Sequence, residues 1–336
     1  MLQFGSMNID ASWAIVGHQW AVRVLRRAVA SGDMSHAYLL TGPAAVGKTT
    51  LARALAAALL CQHEEDAPCG TCRACHLVTS GNHPDLHVVE SERPGASLKI
   101  DQIRDLERQL VLTPVEGHRR VAILRRFEEA TTSAANALLK TLEEPPPYVV
   151  LAVLANDADR LLPTIVSRCQ QIPLRPLPAA MVEQALVERW NAEPEQARLL
   201  AHLSGGRMGW AVRALTDKAA LQHRSRRLDD LGHLLTAATT ERFRYAEKMA
   251  RAPVATQQTL ELWIGWWRDV LLLAAGADAP LTNVDRQRDL QNHAHRFGVK
   301  RSAAVIDALR STVDRLRRNA NARLALEVLM LDLPRP

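Results

Sequence analysis

Over the first half of the chain, short and almost wholly apolar runs alternate with longer stretches of helical texture. His36-Ala-Tyr-Leu-Leu-Thr41, Leu86–Val89, Val121–Leu124, Val149–Leu154 and Gln170–Leu174 read as buried strands. Lys48–Leu60, Ile100–Leu112 and Ser133–Leu142 read as helices between them. Strands alternating with helices predict an α/β domain whose parallel sheet is covered on both faces. After Leu174 the texture changes. Arg175-Pro176-Leu177-Pro178 reads as a linker, Ala179–Ala192 as an amphipathic helix, and Glu195–Leu203 as a second helix stopped by Ser204-Gly205-Gly206. From about Leu221 to Leu333 nearly every segment is helix-forming. The expected division is a sheet domain over 1–174, a small helical lid over 175–220 and a helical bundle over 221–336.

Two helices carry patterns open to more than one reading. In Ser133–Leu142 the residues Ala134, Ala137, Leu138 and Thr141 fall at helical spacing and predict one buried face, with Lys140, Glu143 and Glu144 off it. Trp263, Trp266 and Trp267 sit in a strongly apolar helix, where core or interface burial outweighs base stacking.

At 336 residues, 47% apolar and 23% charged, the chain has the composition of a soluble globular protein of two or three domains. The best membrane candidate, Leu260 to Gly276, is interrupted by Glu261, Arg268 and Asp269 and is too short to span. No basic start precedes an apolar run, so the expected compartment is the cytoplasm. Met7 offers an alternative start, with the first six residues as an extension. The net charge is +6, and its surplus lies in residues 221–336, with 19 Lys/Arg against 13 Asp/Glu. This is a mildly basic surface, too weak to establish nucleic-acid contact.

Residues 42–49, Gly-Pro-Ala-Ala-Val-Gly-Lys-Thr, follow a strand and open a helix, as a G-x-x-x-x-G-K-T phosphate loop does. Gly42 and Gly47 let backbone N–H groups fold around a phosphate, Lys48 reaches its oxygens, and the Thr49 hydroxyl is placed for magnesium. Gly42, Gly47, Lys48, Thr49 and Thr50 are therefore the candidate ATP- or ADP-binding residues. The alternative is a relic loop that keeps its shape and binds nothing. Hydrolysis needs an acid beyond a second strand. Here Val121–Leu124 continues into Arg125-Arg126, with Glu128 and Glu129 three to four residues late. Guanidinium groups at that place repel magnesium. The chain reads as fit to hold a nucleotide and poorly fit to hydrolyse it.

Cys61, Cys69, Cys72 and Cys75 follow the pattern C-x7-C-x2-C-x2-C. Four soft ligands at that spacing suit a closed, structural tetrahedral zinc site, with free thiols as the alternative; His63, His76 and His83 lie close enough in sequence for one to replace a Cys, though four Cys suffice. Cys169 lies apart and reads as buried.

These motifs, together with Gly81-Asn-His-Pro-Asp85, Asn136-Ala-Leu-Leu-Lys-Thr-Leu-Glu-Glu-Pro-Pro146, Ser167-Arg-Cys169 and Asn319-Ala-Asn-Ala-Arg-Leu-Ala-Leu-Glu327, resemble the clamp-loader subunits of the AAA+ class. The resemblance covers nearly the whole chain and is weakest between about 221 and 310. It implies an AAA+ P-loop domain, a lid and a C-terminal collar through which subunits associate. It also implies a hetero-pentamer with gamma/tau-type and delta-type subunits within the polymerase III holoenzyme, loading a sliding clamp on primed DNA. Within the family the choice lies between an ATPase motor of gamma type and a rigid, non-hydrolysing partner; a stand-alone nucleotide-binding adaptor is the reading outside it. The Asn-His-Pro-Asp run, the missing acids, Gly209 in place of a sensor arginine, and a length short of tau-type chains favour the rigid partner. The resemblance makes Arg168 a catalytic arginine finger acting in trans on a neighbour's nucleotide, ahead of Arg160 and Arg175.

Overall fold

The computed structural model describes Trp13 and residues 15–63, 67–318 and 320–335. The expected N-terminal extension, and Asn319 of the C-terminal motif, lie outside the described residues. The chain divides into two compact units, residues 1–182 with 206–210, and residues 183–205 with 211–336.

The first unit is built on a five-stranded parallel sheet. Its elements run α1 (Gln19–Ser31), β1 (Ala37–Thr41), α2 (Lys48–Leu60), α3 (Arg73–Ser80), β2 (Leu86–Val89), α4 (Ile100–Leu110), β3 (Arg120–Leu124), α5 (Thr132–Glu143), β4 (Val149–Ala155), α6 (Pro163–Val166) and β5 (Gln170–Pro173). The strand order is β2-β3-β4-β1-β5. β1 is paired with β4 from Ala37↔Leu151 to Thr41↔Ala155, and with β5 from Tyr38↔Gln170 to Thr41↔Pro173. β1, β3 and β4 are buried at every position, as strands covered on both faces must be, whereas edge strands β2 and β5 are partly exposed. Leu25, Leu51, Leu55 and Tyr38 pack one face. Ile103, Leu106, Leu138 and Phe127 pack the other. On α5, Ala134, Leu138 and Thr141 are buried, Ala137 is half-buried, and Lys140, Glu143 and Glu144 are exposed.

The Asn-His-Pro-Asp run lies where α3 passes into β2. Asp85 is fully buried. Its two oxygens accept the backbone N–H groups of Val115 and Glu116 at 2.8 and 2.9 Å. Arg120 is also buried and stands with Nε 3.4 Å from Asp85, while its other nitrogens donate to the carbonyls of Gln109 and Thr113. The pair thus fixes the loop between α4 and β3.

After β5 the chain is helical among the described residues: α7 (Ala179–Trp190), α8 (Pro194–Leu203), α9 (Met208–Thr216), α10 (Lys218–Thr236), α11 (Thr239–Ala250), α12 (Pro253–Ala274), α13 (Gln287–Arg317) and α14 (Ala322–Asp332). The core of the second unit holds Trp263, Trp266 and Trp267, all buried, as the apolar helix predicted. Trp263 Nε1 donates to the Arg227 carbonyl, and Trp267 stacks on His293 at 6.1 Å between ring centroids. Arg242, also buried, donates to the carbonyls of Met330 and Leu333 and so ties down the end of α14. No described helix is long and apolar enough to cross a membrane.

Asp85→Ala leaves Arg120 buried without its counter-charge and two loop N–H groups without an acceptor. A loss of about 3–5 kcal/mol in urea unfolding is expected, and an unchanged midpoint would contradict this role.

Candidate functional site

β1 delivers the chain to the phosphate loop at the carboxyl end of the sheet, where open parallel sheets bind ligands. Gly42 has φ +136° and Gly47 φ +123°. A Cβ on Gly42 would lie 2.2 Å from the Leu174 carbonyl oxygen, so only glycine fits. The Gly42 N–H donates to the Asn156 carbonyl at 3.3 Å. Gly47 caps α2, so the N–H groups of its first turn, including those of Lys48, Thr49 and Thr50, open toward the loop. The Thr49 side chain is half-buried and Thr50 is exposed.

Lys48 folds back on the loop. Its Nζ donates to the carbonyls of Gly42 and Pro43 and, at 2.9 Å, to Asn156 Oδ1. Burial pushes the ammonium down to about 8, against the attraction of Glu128. Glu128 Oε1 in turn accepts the Asn156 N–H at 3.3 Å. Asn156, one residue past β4, therefore links the loop lysine to the Glu128 carboxylate. A single Asn after a strand carries no sequence signature, and this residue is found only in the fold.

The two arginines after β3 turn to the sheet edge. Arg125 and Arg126 pair with Glu90 at 3.0 and 2.8 Å, and Arg126 also pairs with Glu129 at 3.0 Å. Glu129 is further held by Ser91 and the Gly95 N–H. It is thus committed away from the loop. Glu128 stands nearer to the loop than its place in the sequence implies, because Phe127–Glu129 forms a 3-10 turn that carries it back. Its side chain is 4% exposed, with Arg160 at 3.8 Å.

The loop is flanked by two further segments. His18 Nε2 donates to the Val46 carbonyl at 3.2 Å, and burial holds its imidazole below the usual range, in the neutral form. A cleft of about 560 Å³ opens beside it, lined by Gly17, His18, Trp20, Arg23, Arg175 and Leu177 among others. At the start of α9, the Gly209 N–H donates to the Ala45 carbonyl at 2.9 Å, and a Cβ there would come within 3.0 Å of the same oxygen. The backbone at 209 thus seats directly on the loop, in space a side chain would need.

Arg168 follows α6 and is partly exposed. It is not near the loop's own contacts: Nη2 meets Glu143 Oε1 at 2.8 Å and Nη1 donates to the Thr164 carbonyl at 3.0 Å. Cys169 is buried, and desolvation pushes its thiol up to about 11.

The four sulfurs of Cys61, Cys69, Cys72 and Cys75 all lie within 4.8 Å of one another. The Cys61–Cys72 separation is 3.9 Å, close to the ~3.8 Å edge of a tetrahedron with metal–sulfur bonds of about 2.3 Å. Backbone N–H groups point at these sulfurs: Cys72 N to Cys69, Cys75 N to Cys72 and His63 N to Cys61. Such contacts stabilise thiolates and orient ligands. The Thr71 hydroxyl and N–H hold Cys69 down at about 5, whereas burial pushes Cys75 up. The group can hold a metal ion, which would draw the remaining protons off. His83 is not part of it, because its Nδ1 accepts the Asp85 N–H. Cys72 also caps α3, whose Arg73 pairs with Glu116 at 2.7 Å, so the cluster is tied to the loop that Asp85 fixes.

Elemental analysis is expected to find about one thiophilic divalent ion per chain. Cys75→Ser should release it and lower the melting temperature by several degrees. Metal-free protein of equal stability would contradict the site.

Two family models match the chain, "DNA polymerase III, delta subunit" over residues 17–178 and "DNA polymerase III, delta subunit, C terminal" over residues 218–334. The DNA polymerase III subunit delta' of Bacillus subtilis is 30% identical over 316 residues, 93% of this chain and 94% of that protein. The delta' subunit of Pseudomonas aeruginosa is 47% identical over 176 residues, 51% of this chain and 53% of that protein. The tau subunit of Escherichia coli is 33% identical over 211 residues, 61% of this chain and 32% of that protein. With similarity to a delta' subunit running from end to end, the chain belongs to the delta-prime family of DNA polymerase III subunits.

Proposed function

We propose that this chain is the rigid, non-hydrolysing subunit of the replicative clamp loader. It assembles with gamma/tau-type and delta-type subunits into a hetero-pentamer that places the sliding clamp on primed DNA. The observation that carries this reading is the end-to-end similarity to delta' subunits, set beside a phosphate loop without the usual acids. Residues 1–174 form the nucleotide module, 175–220 the lid and 221–336 the collar. The metal at the four cysteines is zinc, held structurally because four protein thiolates leave no position for water.

The loop of Gly42, Gly47, Lys48, Thr49 and Thr50 holds ATP or ADP. A phosphate there would take over the Lys48 ammonium from the Gly42 and Pro43 carbonyls and draw on the N–H groups that open α2. The cleft beside His18 is of a size to take the base. Turnover within this site is not expected, because Arg125 and Arg126 stand where magnesium's acid belongs and Glu128 is engaged by the Asn156 N–H. The catalytic contribution passes instead to Arg168, whose guanidinium reaches the γ-phosphate of ATP on a neighbouring subunit and spreads its charge over several oxygens. The approach of Glu128 to the loop is the one observation that favours an active, gamma-type ATPase.

In a reconstituted complex, Arg168→Ala should leave assembly intact and slow ATP turnover at the neighbouring subunit's site by on the order of 10³-fold. Unchanged turnover would remove Arg168 from the catalytic account. The low pKa of Lys48 gives a second test. A bound phosphate restores the charged form, so binding takes up protons where free Lys48 is partly neutral. At pH 8, where a terminal phosphate is already ionised, uptake should be about half a proton, read by calorimetry in buffers of different ionisation enthalpy. Proton release, or no dependence on pH, would contradict the placement of Lys48.

A further inference from the structure

The guanidinium of Arg168 is braced at two points. Glu143 Oε1 takes Nη2 at 2.8 Å, and the Thr164 carbonyl takes Nη1 at 3.0 Å. The two supports differ in kind. Thr164 belongs to the short helix that precedes Arg168, so it moves with the arginine. Glu143 is the last residue of α5, a separate helix anchored by buried Leu138, Thr141 and Leu142 and capped at its start by the Thr131 hydroxyl. The carboxylate is therefore presented from a rigid element.

The geometry leaves the arginine usable. A guanidinium has five N–H groups, and the two contacts occupy two of them. The remaining Nε and Nη hydrogens can still take a phosphate in bidentate fashion. The pair is partly solvated, with side chains 36% and 51% exposed. Exposed pairs of this kind are weak, so a phosphate's charge outweighs Glu143 without having to expel it. What the contact does is remove rotamers from a long side chain before the ligand arrives, an ordering that would otherwise fall on the reacting complex.

We propose that Glu143 is a positioning residue for Arg168: it holds the guanidinium oriented outward on the subunit face so that it meets a neighbour's nucleotide without reordering. This rests on the reading of Arg168 given above, and it assigns a role to a residue of the Leu-Glu-Glu-Pro-Pro run that periodicity left merely exposed.

The test compares wild type, Glu143→Ala, Glu143→Gln, Arg168→Ala and the Glu143→Ala/Arg168→Ala double variant in the reconstituted complex, by steady-state ATP turnover. Glu143→Ala should lower kcat by about three- to tenfold with KM for ATP nearly unchanged. Glu143→Gln, whose amide oxygen still accepts a hydrogen bond, should recover much of the loss. On the Arg168→Ala background, Glu143→Ala should have no further effect. A kcat that is unchanged or raised in Glu143→Ala overturns the proposal, as does an equal loss on the Arg168→Ala background, which would mark a merely structural role. If Glu143→Ala fails to assemble, Glu143→Ser, whose short side chain cannot reach Arg168, takes its place, and its kcat loss, present with Arg168 and absent without it, decides the matter. The two levels of failure are distinguishable. A silent Arg168→Ala defeats the finger itself, whereas a damaging Arg168→Ala with a silent Glu143→Ala defeats only the positioning role.

Discussion

Three strand ends meet at Gly42, and the absence of a side chain there is the constraint on which the phosphate loop rests. β1 supplies the glycine, β4 supplies the Asn156 carbonyl that accepts its N–H, and the chain leaving β5 supplies the Leu174 carbonyl that any Cβ would strike. Because β1 lies between β4 and β5 in the sheet, this meeting follows from strand order and not from the loop itself. The same convergence sets the side chains. Asn156, one residue past β4, reaches Lys48 with its amide oxygen and Glu128 with its backbone N–H. The loop lysine, the linking amide and the nearest carboxylate are thus positioned by rigid sheet ends.

The site has the form of a phosphate loop with no acid at the first two positions past β3. At the two positions past β3 where an acid would meet magnesium, the chain carries arginines, and these are occupied with Glu90 and Glu129 on the side of the edge strand. Gly209 closes on the loop through its backbone. The cysteine cluster lies on a different part of the same unit and is linked by Arg73 and Glu116 to the α4–β3 loop. Its place is that of a staple beside the sheet. Four cysteine sulfurs within 4.8 Å of one another, three of them approached by backbone N–H groups, could hold a metal ion there.

Much of this was legible in the residues. The central strands are continuous apolar runs because both faces are covered, so hydropathy alone locates them. β3 begins one residue earlier than its apolar run, at Arg120, since a buried charge paired with Asp85 is invisible to hydropathy. The phosphate loop and the cysteine cluster are local in sequence, so spacing reveals them. α1 and α3 carry weak start signals: α1 follows His18 in a left-handed conformation, and α3 is capped by the thiol of Cys72 rather than by Ser, Thr, Asp or Asn. Asn156, the return of Glu128 and the Glu143–Arg168 contact each join residues far apart in the chain. None has a local pattern, and each exists only once the sheet is assembled.

The central claim is that this chain holds a nucleotide without turning it over and lends its catalytic group to another subunit. The most direct measurement is ATP binding and hydrolysis by the isolated chain, repeated with Lys48→Ala. The account predicts binding that depends on Lys48, with no hydrolysis above background. Steady turnover by the isolated chain, abolished in Lys48→Ala, would contradict it and make Glu128 the acid of a working ATPase.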